Sequence, residues 1–353
     1  MNTSLRCFLA VGLATALVLA GCTSTSAPSP QSAAAPTTDA ALSKSTPQAS
    51  ITRSDRDANY LTVCSFNIKW LGQFKERDNV ALADLLAPYD IVVVQELIAP
   101  PALKPTDGAF RQRAAAFFKE MGRHGFSYHL AESGTGNNAT ATADTNTNAN
   151  DWWVTFFRAD RVVPANDLPH GFIDSPVVQN PVFDRVPYAL GLRSVDGHCD
   201  FVLLSVHLHA DKKGEQRRAN ELGRLATWIH TQTTNQAEKD FIVLGDMNLQ
   251  NRNEYLRALP SGFASLNDAC LATNVSPSDP RPYDQVMFDP TFTSEIDRGR
   301  GIHVIKLIEA LRSSWHGSAP YPGDPYNSSK FALTYSDHNP VVFRIKVPDR
   351  DDD

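Results

Sequence analysis

Cysteine is scarce: the 353-residue chain holds five. Only Cys64, Cys199 and Cys270 follow Cys22, an odd number without zinc-type spacing. That excludes a disulfide-built scaffold and a cysteine–zinc site. A single Cys199–Cys270 bridge stays compatible with an oxidising compartment. Basic residues show no excess either, with Lys+Arg 33 against Asp+Glu 39 and a net charge of -6. A protein that coats nucleic acid by bulk charge is therefore excluded. Catalysis on nucleic acid is not, because a bound metal ion supplies positive charge locally. The pronounced apolar run, Phe8 to Ala20, is too short to span a bilayer as a stable helix. A hydrophobic share of 42% rules out a wholly disordered chain.

What is present divides the chain into unequal parts. Arg6, the run after it and Leu19-Ala20-Gly21-Cys22 have the order of a secretory signal ending in a bacterial lipobox. Residues 1–21 are expected to be a lipoprotein signal peptide, with Cys22 lipidated and the protein exported and anchored at the cell envelope, in the outer membrane, periplasm or cell surface. Residues 22–58 are rich in Ser, Thr, Ala and Pro and bury too little to offset the entropy of ordering, so they read as a tether. As a coil it would reach roughly 30–35 Å. Residues 59–347 form one expected domain, and 348–353 an acidic tail. The Asn/Thr/Ala stretch 134–150 reads as a surface loop within the domain.

Short runs rich in Val, Ile, Leu and Phe recur at Leu61–Ile68, Ile91–Gln95, Trp153–Phe157, Tyr188–Leu192, Phe201–His207, Phe241–Leu244, Gln285–Phe288 and Val341–Val347. Their length and turn-type flanks mark strands, and the unbroken ones suit strands covered on both faces. Helices are expected at Asn79–Leu86, Phe110–Met121, Gln216–Thr231 and Ile302–Leu311. The pattern is a mixed α/β domain with strands inside helices.

Polar groups fall at the strand ends. Asn67, Glu96, His207, Asp246, Asn248, Asp284, Asp337 and His338 each adjoin an apolar run, where an unpaired carboxylate is costly. Any one alone is a turn-former; the ordered set is not chance. Asn67-Ile68-Lys69, Gln95-Glu96, Val206-His207-Leu208, Gly245-Asp246-Met247-Asn248, Tyr283-Asp284 and Ser336-Asp337-His338-Asn339-Pro340 resemble the motifs of the endonuclease/exonuclease/phosphatase superfamily over about Tyr60 to Ile345. The resemblance implies a four-layer α-β-β-α sandwich of two packed mixed sheets flanked by helices. It also implies metal-dependent hydrolysis of phosphate esters, with magnesium as cofactor and manganese or calcium as alternatives.

Carried over residue by residue, Asn67, Glu96 and Asp337 match the metal-supporting positions. His207, Asp246, Asn248, Asp284 and His338 match the catalytic ones. Asp284 would fix the tautomer of His338, Asp246 would orient or deprotonate the attacking water, and His207 and Asn248 would donate to the phosphate. Glu132 resembles the acidic partner of the second histidine, against a solvated loop glutamate. Arg185 is a candidate phosphate contact, against a structural ion pair. His209 reads as a rim residue.

The expected activity is a surface-anchored or secreted nuclease or phosphodiesterase, with nucleic acid as preferred substrate and no protein partner expected. The alternatives are a phosphatase or sphingomyelinase-like phospholipid phosphodiesterase and, in a different class, a catalytically inactive binding module. Trp315, Tyr321 and Tyr326 could stack on bases or pack on the domain. The basic group Lys212, Lys213, Arg217 and Arg218 could steer a phosphate backbone or simply open a helix.

Overall fold

The computed structural model describes residues 57–135, 151–175, 180–236 and 238–351. Signal segment, Cys22 and all but the last two tether residues lie outside these, as does 136–150. No helix among the described residues is long and apolar enough to cross a membrane.

The strands assemble into two sheets. The first has the order β12 (His303–Val304), β13 (Val341–Lys346), β1 (Tyr60–Leu71), β2 (Ile91–Leu97), β4 (Trp152–Phe157) and β3 (Ser127–Leu130). The second has the order β10 (Ala264–Ser265), β11 (Asp284–Phe288), β9 (Phe241–Asp246), β8 (Asp200–His207), β7 (Tyr188–Ser194) and β5 (Val162–Pro164), with β6 (Gly171–Phe172) also on β7. Parallel pairing of β1 with β2 and of β8 with β9 sits inside otherwise antiparallel ladders, so both sheets are mixed.

Strand periodicity decides where each side chain goes, because alternate residues face opposite sides. On β1, Leu61 and Val63 point between the sheets, where they join Ile91 and Val93 of β2 and Phe201, Leu203, Ile242, Leu244, Val286 and Phe288 of the other sheet. Cys64, Phe66 and Ile68 point outward. There they meet α1 (Asn79–Leu86) and α2 (Ala109–Arg123) through Leu82, Leu86, Phe117 and Met121. Val202, Leu204, Val206, Phe241 and Val243 cover the outer face of the second sheet and meet Leu222, Leu225 and Ile229 of α3 (Glu215–Asn235) and Tyr255 of α4 (Arg252–Ala258). The result is helix, sheet, sheet, helix. Each fully buried Leu or Phe in these layers contributes on the order of 1.5–3 kcal/mol.

The helices differ from the sequence expectation in three places. Ile302–Leu311 is not one helix: β12 pairs with β13 through His303 and Val304, and only α5 (Leu307–Ala310) is helical. The β-branched Ile302, Val304 and Ile305 favour the strand edge over a helix. Helix α4, capped by Asn251 Oδ1 accepting from Glu254 N at 3.0 Å, was not expected. Neither was α6 (Ser328–Thr334), capped the same way by Asn327. Both are seven residues long, too short for periodicity to reveal. Cys199 and Cys270 are free thiols, so no bridge joins them.

One glycine sets the register on which the site depends. Gly245 has φ +138°, and a Cβ there would stand 2.1 Å from the Val206 carbonyl oxygen. Only glycine lets β9 lie this close to β8.

Candidate active site

The polar strand-end residues share a face as well as an end. Asn67, His207, Asp246 and Asp284 continue the ladders of Leu61, Phe201, Ile242 and Phe288 at two-residue steps. Each therefore points into the space between the sheets where the apolar filling stops. Register aligns them: His207 pairs opposite Asp246, and Asp246 opposite Asp284. Three neighbouring strands thus set an imidazole and two carboxylates in one row.

Asp246 is the hub. Its Oδ2 accepts from Asn67 Nδ2 at 2.9 Å and lies 3.6 Å from His207 Nε2 and 3.5 Å from His338 Nε2. Its Oδ1 accepts from the backbone of Asn248 at 2.8 Å. Asn248 holds a left-handed φ of 53° and donates Nδ2 to Leu208 O at 3.0 Å. Its side chain is therefore engaged by the backbone.

Each histidine is held from behind by its own carboxylate. His338 Nδ1 is 2.9 Å from Asp284 Oδ2, and His207 Nδ1 is 2.7 Å from Asp151 Oδ2. In both, Nε2 is left facing Asp246. Burial pulls the His338 pKa down, but Asp284 and Asp246 reverse this and raise it well above the usual imidazole value. For His207, burial and Arg185 act downward and are outweighed by Asp151 and Asp246, so its pKa is raised as well. Two N–H donors thus flank one carboxylate.

Asp151 is the residue that sequence reasoning missed. Glu132 was the expected partner of the second histidine; instead it accepts from Tyr188 OH at 3.1 Å, and Tyr188 OH also meets His129 Nε2 at 2.9 Å. Asp151 opens β4 directly before Trp152-Trp153, the same acidic-group-beside-a-strand signal that marked the other positions. Arg185 is buried against it, Nε to Oδ2 at 3.3 Å, which is the structural ion-pair reading of that arginine. Arg185 and His207 hold the Asp151 pKa low despite burial. Asp151→Asn is expected to lower kcat about a hundredfold, and Glu132→Gln by less than about threefold; steady-state kinetics on one phosphodiester substrate checks both. Equal losses would return the partner role to Glu132.

The Ser336-Asp337-His338-Asn339 segment is pinned by its own side chains. Ser336 Oγ donates to Asn67 O at 2.8 Å and accepts from His338 N at 3.0 Å. Asn339 Oδ1 accepts from Leu307 N at 3.0 Å, and Nδ2 donates to Asn274 O at 2.9 Å. Arg77, also unforeseen, donates to the carbonyls of Ile68, Lys69 and Tyr335. It fastens the end of β1 to this segment, and burial pushes its pKa down to about 10.

Glu96, in left-handed conformation at φ 64°, leaves the regular ladder where the β2–β4 register shifts. Oε1 accepts from Asn67 Nδ2 at 2.8 Å and Oε2 from Trp70 N at 2.9 Å. Glu96, His207 and Asp246 each offer a ligand atom within 4.8 Å of the others. Burial raises the Glu96 pKa, and the like charges of Asp151 and Asp337 add to this against His207 and Asn67. Such crowding of buried carboxylate oxygens fits a small divalent cation. Of the three residues expected to support a metal, Glu96 belongs to this cluster. Asn67 turns its amide N–H to both carboxylates, while its Oδ1 accepts from Lys69 N at 3.0 Å. Asp337 is ion-paired with Lys69. His209, as a rim residue, pairs with Asp184. The basic group is mostly committed: Arg218 is buried and donates to Glu254 at 2.6 Å, Arg217 pairs with Asp184, and Lys212 is 3.5 Å from Asp279.

Two packed mixed sheets with flanking helices make the four-layer sandwich of a deoxyribonuclease I-like fold. No protein-family model and no curated protein matches the chain. Among solved structures, it is similar to a truncated Caenorhabditis elegans TDP2, with a TM-score of 0.51 at 13% identity over 81% of this chain and 97% of that one. It is also similar to the human Nocturnin catalytic domain, with a TM-score of 0.51 at 16% identity over 85% of this chain and 100% of that one.

Proposed function

We propose that the protein is a metal-dependent phosphodiesterase, with nucleic acid as the preferred substrate class. The observation that carries this is the pair of buried imidazoles, each backed by a carboxylate and both facing Asp246 beside Glu96. A divalent ion such as magnesium, held by Glu96 with Asp246 and His207 close by, would neutralise phosphoryl charge and act as Lewis acid. Asp246 accepts the proton of the attacking water and aims it in line. His338 and His207 present Nε2–H to phosphoryl oxygens as charge develops there. Asp284 and Asp151 keep those rings in the donating tautomer and support their positive charge. Asn67 spaces the two carboxylates, and Asn248 fixes Asp246.

The test is hydrolysis by the purified full chain of single- and double-stranded DNA, RNA, bis(4-nitrophenyl) phosphate and sphingomyelin, with and without magnesium. Turnover of a nucleic acid and the aryl diester is expected; turnover of the lipid alone would overturn the reading. Inertness toward every substrate with several divalent metals would leave only a binding module. The same reading has the domain tethered to the cell envelope by acylated Cys22, so Cys22→Ala should release the protein into a soluble fraction.

A further inference from the structure

Beside the row of catalytic groups, on the side of Asp337 and His338, lies a cavity of about 530 Å³. Trp70, Phe74, Tyr283 and Tyr326 border it, and each is only half-buried. Trp70 and Phe74 stand 5.9 Å apart between ring centroids, and the Tyr283 ring lies 5.5 Å from that of His338. Aromatic faces gathered around a concavity and left partly in water are surface waiting for a cover. The rest of the wall is mixed, with Val275, Ala332 and Leu333 supplying apolar surface. Ser328 and Ser329 add hydroxyl groups, which an acyl chain would desolvate without pairing. Lys69 lines the same cavity and reaches Asp337, placing a cation where cavity and catalytic row meet.

We propose that this cavity receives the base of an unpaired nucleotide whose phosphate lies at His338, so that single-stranded nucleic acid is preferred over duplex. The inference rests on the phosphodiesterase reading above. A flat heteroaromatic ring with a polar edge matches ring walls plus hydroxyl groups, and the volume is that of a small-ligand site. A base stacked in a helix cannot enter a walled cavity unless it is first extruded.

The experiment compares calorimetric dissociation constants of the full chain for thymidine 5′-monophosphate and 2-deoxyribose 5-phosphate. The nucleotide is expected to bind about tenfold tighter. Phe74→Ala with Tyr326→Ala should remove that preference while leaving the sugar phosphate constant unchanged. Tyr326→Leu, which keeps the apolar contact with Phe331, guards against a folding defect and should lose part of the preference. Equal affinities in the native chain, or a preference that survives the double variant, would overturn the proposal. So would tighter binding of a short-chain phosphatidic acid than of the nucleotide. Because binding is read without turnover, these failures are distinct from a failure to hydrolyse the aryl diester, which would strike the phosphodiesterase reading itself.

Discussion

Asp246→Asn is expected to reduce kcat by about three orders of magnitude or more, with the fold retained. General acid–base groups typically contribute 10²–10⁴-fold, and Asp246 stands at the upper end because four contacts converge on it. The substitution removes the acceptor for the water proton. It also deprives both imidazoles of the charge that helps keep them protonated. An amide of the same shape can still accept from the Asn248 backbone, so the β9 end should stay in place. Steady-state kinetics with a parallel thermal melt separates the two effects. His338→Ala should fall by a similar factor, and the double variant by little more, since groups that act as one unit are far from additive. Near-native turnover by either single variant would sink the mechanism.

The second large effect concerns the cation. Chelation is expected to bring hydrolysis to background and added magnesium to restore it. Glu96→Gln should weaken manganese binding, followed by electron paramagnetic resonance, by at least about tenfold. The sign follows from electrostatics. Burial, with the like charges of Asp151 and Asp337, raises the Glu96 pKa, and a divalent ion would stabilise the carboxylate against both. A ligand that binds only the folded state raises its stability. Magnesium should therefore raise the melting temperature of the native chain and have less effect on Glu96→Gln. Full activity in excess chelator would exclude the metal role altogether.

Much of this was legible in the chain because strands translate sequence into position by a fixed rule. Once Phe201–His207 and Phe241–Leu244 are read as strands, a polar residue at an even step past the apolar ladder must project where that ladder projects. Asn67, His207, Asp246 and Asp284 obey this rule, and α1 was correct to the residue because Asp78 accepts from Ala81 N at its start.

What the chain did not disclose lies off the ladders. Asp151, after an Asn-rich stretch of sequence, and Glu132, after β3, are equally acidic and both lie near strands in sequence. Only the packing of the two sheets face to face brings Asp151 to His207. Asp337 was readable as a candidate metal support, but its ion pair with Lys69 depends on a left-handed turn at φ 56° that no periodicity announces. The aromatics before Ser336 divide the same way: Tyr321 packs on Phe331 and Trp315 on Tyr321, leaving Tyr326 to line the cavity. Residue type and strand period were thus enough to bring the strand-end polar groups into one row, because both act locally. The partners of that row and the walls of its cavity needed the tertiary structure, because they join segments whose separation along the chain carries no information about their distance in space.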